Sequence, residues 1–491
     1  MDHSLSVKHP DDVSQVVVQP VEAHSNVQDT KYERQLVRKI DLYLMPVVFF
    51  SFGLQLLDKT SLAFSAVLGM NADLHLVGQQ YSWSNAVYDV GFLVASYPVS
   101  LGFVRFPLGK YLAVFMGFWG IVLTLHAVAV DFKSLMILRA ALGVFGSANA
   151  AGFSLVTNMW YTDEEQIPRH SFWFTGNVLA GLIGSFVAYG SLQYTGEFPK
   201  WKIQIISLGL LTLLWSIVLF FYLPDSPSSA WFLHQEDRQF ASSRLSRLQR
   251  TTETSKWDWS QVKDALTDFH VWWWFIFSFV IALPNSGATS FSTLIIEGFG
   301  YNAGETILIG LPTYAFQLVT IVLVAVLTSK IKNARLLCLA GWYLVAIAGT
   351  LMIKLLPAED KLSRLAGFWL IMSVVPLPLV LSLLACNIAG STKKPTVLAV
   401  FFIANSAGNL VGPQCFIARE APHYTTAFTT LLTCYSLAAL LCVVLRCYLV
   451  WQNKRRDNQP GEAGAAAQSP EISADAVEKT ERTDADFRYV L

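Results

Sequence analysis

Asp58 and Lys59, Asp89, His126 and Arg139 are ionisable side chains set inside stretches that are otherwise apolar. A charge at the centre of a bilayer costs on the order of 2.5–3.5 kcal/mol on insertion scales, so each of them requires an explanation. Asp58 and Arg139 carry complementary charge. A carboxylate beside a guanidinium stays ionised; once it takes up a proton, the guanidinium is left to attract an anion. Asp89 would compete with Asp58 for the same Arg139. Proton coupling is therefore expected at Asp58 and Asp89, and attraction of an anionic solute at Arg139. A fixed ion pair that only ties two helices together is the alternative, and it stays open. Lys59 has the long stem of a residue that snorkels to an interface, and a lone His126 is ordinarily a hydrogen-bonded packing residue.

A second set is polar without charge. Asn285 stands in the segment Pro284-Asn285-Ser286-Gly287, which predicts a broken helix whose backbone groups face a cavity. Gln317, Asn177 and Asn405 can add hydrogen bonds from other helices, and Trp173 and Tyr314 can supply apolar walls. Asn is also common glue between membrane helices, and aromatic residues make up 13% of this chain, so packing is the competing reading for each.

Other chemistry finds no support. There is no catalytic triad, P-loop, CxxC or His/Cys cluster with metal-ligand spacing, so neither a cofactor nor an enzyme is expected. The six cysteines, Cys338, Cys386, Cys415, Cys434, Cys442 and Cys447, fall in apolar runs of the C-terminal half and read as buried thiols. With 35 basic and 35 acidic residues the chain has no basic field for nucleic acid.

The elements that would hold these residues are membrane helices. Of 491 residues 53% are hydrophobic and only 14% charged, which makes the lipid bilayer the expected solvent of an all-α membrane protein. A crossing needs about 20 apolar residues. About twelve such runs follow one another, at 43–64, 83–104, 111–130, 135–157, 170–193, 203–223, 271–293, 306–328, 335–355, 365–389, 396–418 and 427–450. At about 1.5 Å per residue, Asp58, Arg139 and Asp89 all fall roughly 7–9 Å below one surface of a slab about 30 Å thick. Three charged groups would share one depth.

The domain reading follows from these runs: 1–40 a disordered tail, 41–223 a six-helix bundle, 224–270 a central loop, 271–450 a second six-helix bundle and 451–491 a disordered tail. Short-loop Lys and Arg favour one side by about three to one, which places both termini and the central loop in the cytosol. The halves look like a diverged repeat. Phe174, Asn177 and Gly184 superpose on Phe402, Asn405 and Gly412 in a common pattern F-x-x-N-x-x-[AG]-x-x-x-G. In the central loop Trp259, Val262, Leu266 and Phe269 recur on one helical face, as an interfacial helix would show, or as a helix that merely continues into the seventh crossing.

Motifs along nearly the whole membrane region resemble the fungal allantoate permease family, within the anion:cation symporter group of the major facilitator superfamily. They include LDKTSLAFS (57–65), QQYSW (79–83), RFPLGKY (105–111), RAALGVFG (139–146), MWYTDEEQIPRHSFWF (159–174) and LPDSPSSAWFL (223–233). WDWSQVKDALTD (257–268), PNSGATSF (284–291), LIIEGFGY (294–301) and NIAGSTKKPTVLAVFFIANSAGNLVGPQ (387–414) continue the series. The resemblance implies a major facilitator fold and a symporter that imports an organic anion such as allantoate, ureidosuccinate or nicotinate, driven by protons. The chain departs from the family at Gly146 and Ser96, where acidic residues are common, near Ala151, where a proline is usual, and at Asp89, where an aromatic is.

The leading expectation is a monomeric, multi-pass plasma-membrane symporter for protons and a small anionic substrate. An exporter or intracellular transporter of a secondary metabolite, and a low-flux nutrient sensor, are the alternatives.

Overall fold

The computed structural model describes residues 27–162, 165–166, 169, 172–173, 175–252, 258–331, 333–374, 377–390, 392–458, 480–482 and 487–490. Among them there is no β-strand. The N-terminal half contains α1 (Val27–Val67), α2 (Gln80–Arg105), α3 (Leu108–Leu125), α4 (Phe132–Trp160), α5 (Gly176–Leu192) and α6 (Lys200–Tyr222). Two helices occupy the central loop, α7 (Gln235–Thr252) and α8 (Trp259–Thr267). The C-terminal half contains α9 (Phe269–Ser290), α10 (Ala303–Gly310), α11 (Pro312–Lys330), α12 (Arg335–Leu355), α13 (Lys361–Met372), α14 (Leu377–Asn387), α15 (Lys393–Val411) and α16 (Thr425–Asp457). α10 with α11 make one crossing, and α13 with α14 make another. Eleven crossings are long and apolar enough to span a bilayer; α5, at 17 residues, is the twelfth.

The two halves pack largely alike. In the first, α1 pairs with α5, α2 with α4 and α3 with α6; in the second, α9 pairs with α15 and α12 with α16 in the same way, while α11 touches α13 only slightly and α13 packs chiefly on α12. Lipid tails are as apolar as leucine, so such pairs are selected by close backbone approach rather than by hydrophobicity. Glycine permits it in both of the corresponding pairs α1–α5 and α9–α15. A Cβ on Gly53 of α1 would meet the Gly176 carbonyl oxygen of α5 at 2.8 Å, and one on Gly408 of α15 would meet the Phe279 carbonyl oxygen of α9 at 2.7 Å.

The chain ends and the central loop share one end of the molecule, called here the basic end. At the opposite end the bundles touch. Thr293 Oγ1 donates to the Ala63 carbonyl at 2.5 Å, Tyr81 Oη to the Ser290 carbonyl at 2.7 Å, and Gln79 Nε2 to the Gln414 carbonyl at 3.3 Å.

Several expectations are corrected. The seventh crossing is not broken at Pro284: α9 runs unbroken to Ser290, because neighbouring helices can re-satisfy what a proline frees. Ser286 Oγ of α9 donates to the Asn409 carbonyl of α15 at 3.0 Å, a group left open by Pro413 four residues on. The interruption lies instead in the tenth crossing, between Met372 and Leu377. The N-terminal segment is helical from Val27, well before residue 40; residues 1–26 lie outside the described residues. At the other end α16 continues to Asp457, and residues 480–482 and 487–490 pack against the bundle instead of hanging free.

α8 is a separate helix rather than an extension of the seventh crossing. Asp258 caps it through Ser260 N (2.8 Å), and Asp268 ends it and caps α9 through His270 N (3.0 Å). Trp259 and Leu266 are exposed on it, as is Phe269 at the start of α9, while Gln261 and Ala265 are buried, as an interfacial helix requires.

Candidate functional site

A cavity of about 280 Å³ lies between the two bundles, with walls from both. α1 contributes Leu56, Thr60 and Phe64, and α5 contributes Asn177 and Ser185. From the C-terminal half come Asn285 and Thr289 of α9, Tyr314 and Gln317 of α11, and Asn405 and Asn409 of α15. Met372, Val374 and Leu377, around the interruption in the tenth crossing, complete the wall. No charged side chain lines the cavity among the described residues.

The lining is rich in carboxamides, each of which both donates and accepts hydrogen bonds. Gln317 Nε2 donates to the Met372 carbonyl at 3.0 Å, a group released because the helix stops there. Asn409 Nδ2 donates to Asn405 Oδ1 at 3.4 Å, from one turn further along α15. Asn177 Oδ1 and the hydroxyls of Thr306 and Thr313 are buried with no hydrogen-bond partner among the described residues. Unmet acceptors and hydroxyls in a cavity wall suit a solute that brings N–H and C=O groups of its own.

Five of the residues singled out in the sequence thus meet around one cavity: Asn177, Asn285, Gln317, Tyr314 and Asn405. The repeat explains the placement of two, since Asn177 and Asn405 occupy equivalent positions on α5 and α15. Asn409 was missed, although its helical spacing of four from Asn405 puts it on the same face.

Arg139 and Trp173 are elsewhere. Arg139 and Asp58 are sealed inside the N-terminal bundle, with Arg139 Nη1 3.8 Å from Asp58 Oδ1 and side-chain exposures of 3% and 0%. Trp119 of α3 donates its indole N–H to Asp58 Oδ2 at 3.2 Å, so α1, α3 and α4 meet at one carboxylate. Nothing in the sequence marks Trp119 among fifteen tryptophans. Asp89 is buried on α2, and Tyr88 beside it is buried within electrostatic reach of Asp58, Asp89 and Arg139. In this conformation Arg139 does not touch the cavity, and Trp173 packs on Phe52 with ring centroids 4.2 Å apart.

His126 is fully buried, with Nδ1 2.8 Å from the Val122 carbonyl oxygen, the arrangement of a packing residue. The side chain of Lys59 lies outside the described residues. All six cysteines are free thiols, and no cluster of metal-ligating side chains occurs among the described residues.

Comparison with known proteins agrees with this architecture. The family model of the Major Facilitator Superfamily matches residues 48–413. An uncharacterized transporter of Schizosaccharomyces pombe is 35% identical over 467 residues, covering 94% of this chain and 90% of that protein. The allantoate permease of Saccharomyces cerevisiae is 32% identical over 472 residues, covering 94% and 87%. Among solved structures, a D-xylose-proton symporter superposes with a TM-score of 0.61 at 12% identity, over 83% of this chain and 97% of that one. Twelve crossings in two equivalent bundles, a cavity between them and these matches lead to one conclusion: the chain is a multi-pass membrane protein that belongs to the Major Facilitator Superfamily, a family of transporters and not of enzymes, and resembles the fungal allantoate permease within it.

Proposed function

We propose that the chain is a proton-coupled importer of a small organic anion of the ureide or carboxamide type, acting as a monomer in the plasma membrane with its basic end in the cytosol. The observation that carries this reading is the ring of carboxamides around the cavity. Side-chain amides pair well with the N–H and C=O groups of a ureide, and they come from both bundles, so a bound solute would couple the two. Similarity to an allantoate permease over 94% of the chain supports the same solute class.

Asp58 and Arg139 supply the proton step in this reading. While Asp58 is ionised, the pair is neutral and closed. When Asp58 takes up a proton, the charge of Arg139 is uncompensated and attracts an anion toward the N-terminal bundle. A proton moving with a monoanion keeps the cycle electroneutral. The basic bias of the short loops supports the cytosolic assignment of the chain ends.

The uncharged lining favours a second reading, in which the solute is a neutral ureide. Uptake into proteoliposomes under an imposed pH gradient distinguishes them. Labelled allantoate should accumulate when the outside is acidic and be competed by other ureido-carboxylates. If only uncharged ureides compete, the second reading holds; if neither class is taken up, both fail.

A further inference from the structure

The last residues of the chain return to the basic end of the C-terminal bundle and are held there at several points. Asn387, which ends α14, donates from Nδ2 to the Val490 carbonyl at 2.9 Å and accepts the Val490 N–H at 2.7 Å. Asn453 of α16 treats the preceding residue in the same way: Nδ2 donates to the Tyr489 carbonyl and Oδ1 accepts the Tyr489 N–H, both at 2.9 Å. Two carboxamides on different helices thus take the place of a neighbouring strand, reading consecutive peptide groups of the tail. Arg456 donates to the carbonyls of Phe487 and Glu481, at 2.6 Å each, and its guanidinium lies 4.8 Å from the ring centroid of Tyr489.

The other anchor is ionic. Glu481 is fully buried; it accepts the Ala389 N–H at 3.0 Å and stands 2.5 Å from Lys393 Nζ. Lys393, itself fully buried at the start of α15, also holds Asp264 of α8 at 2.8 Å and Asp268 at 2.9 Å. Arg482 adds a second cation beside Asp264, at 2.8 Å. Burial alone would raise Asp268, but the hydrogen bond and charge of Lys393 hold it below the usual carboxylate range. One ammonium therefore joins α8, α15, the cap of α9 and the tail, and a buried cluster of this kind is stable only while all its members are present.

These contacts bear on the cavity through α14. That short helix starts at Leu377, which lines the cavity, and ends at Asn387, which the tail grips. It is separated from α13 by the interruption at Ser373 and Val374, where the helix ends.

We propose that the C-terminal residues 480–482 and 487–490 form a releasable clamp, an intramolecular ligand of the basic end that fixes α14 and, through it, that side of the cavity. Docked, the tail holds α14 as seen here. Released, it leaves α14 to swing about the interruption and changes access to the cavity from the basic end. The inference does not depend on the identity of the solute.

The test uses the purified full chain in lipid nanodiscs, with no substrate. Hydrogen exchange should show the amides of Tyr489 and Val490 protected at least about tenfold relative to a free peptide of the same C-terminal sequence, and the protection should vanish in Asn387→Ala with Asn453→Ala. Cys386, the neighbour of Asn387, reports on α14. With the other five cysteines replaced, its maleimide labelling should accelerate at least about fivefold in Arg456→Ala and in Tyr489→Pro, which removes a tail N–H and the ring beside Arg456 while leaving every bundle residue in place. Exchange at Tyr489 and Val490 in the unmutated chain as fast as in the free peptide would overturn the clamp. So would unchanged Cys386 labelling in a variant whose tail has lost protection.

Discussion

The ring of Tyr314, on α11, fills the space that any side chain at Gly181, on α5, would need, and Ser185, one turn along the same helix, donates its hydroxyl to the Gly181 carbonyl at 2.9 Å. The ring contact runs from one bundle to the other beside the cavity. It is a steric bridge that only glycine allows. Gly181→Leu should leave each bundle folded, because the collision lies between them, yet reduce transport at least about tenfold by displacing Tyr314 or parting the bundles. Tyr314→Ala added to it should restore part of the loss, measured as uptake per unit of protein in the membrane. Wild-type transport by Gly181→Leu would show that the bridge is not needed.

The Asp58–Arg139 pair is tested by separating accumulation from exchange. In Asp58→Asn the amide can still accept from Trp119, so abundance should stay close to normal while pH-driven accumulation disappears and counterflow persists. Arg139→Ala should lose both. A static pair predicts instead that each single variant loses folded protein, since an uncompensated buried charge costs about 3–5 kcal/mol.

Trp119 offers a gentler probe of the same carboxylate. Trp119→Phe keeps an aromatic ring but removes the bond to Asp58 Oδ2. A hydrogen bond to a charged group contributes about 1.5–3 kcal/mol, so the thermal midpoint should fall and the pH profile of transport should move. An unchanged profile with an unchanged midpoint would remove Trp119 from the proton step.

The cavity reading makes a paired prediction. Asn177→Leu and Asn405→Leu sit at equivalent places in the repeat and should each raise KM, by about three- to tenfold for a neutral hydrogen bond of about 0.5–1.5 kcal/mol. Asn285→Leu should behave alike, with membrane abundance near normal. A collapse in abundance with unaltered specific activity would make these residues helix glue.

Sidedness is checked with tags at both termini and with Gln239→Cys on the exposed face of α7. All three should report from the cytosol, as the basic loops require. Labelling of Gln239→Cys from outside intact cells would invert the assignment.

The sequence by itself determined the number of crossings, their approximate bounds and the division into two related halves. These are local properties: an apolar run either is or is not long enough at 1.5 Å per residue to cross hydrocarbon. It also singled out Asn177 and Asn405 by their matching places in the repeat pattern, and both line the cavity. Which way each helix faces was decided only by tertiary structure. In lipid the outside of a bundle is as apolar as its core, so hydropathy carries little record of rotational phase. Depth therefore put Asp58 and Arg139 together correctly but could not tell a cavity wall from a sealed interior, and Trp119, which holds Asp58, carries no local signal. The same holds for Pro284 and Glu481. Whether a proline breaks its helix, and whether an acidic tail hangs free or meets a buried Lys393 far back along the chain, depends on neighbours that no local pattern specifies.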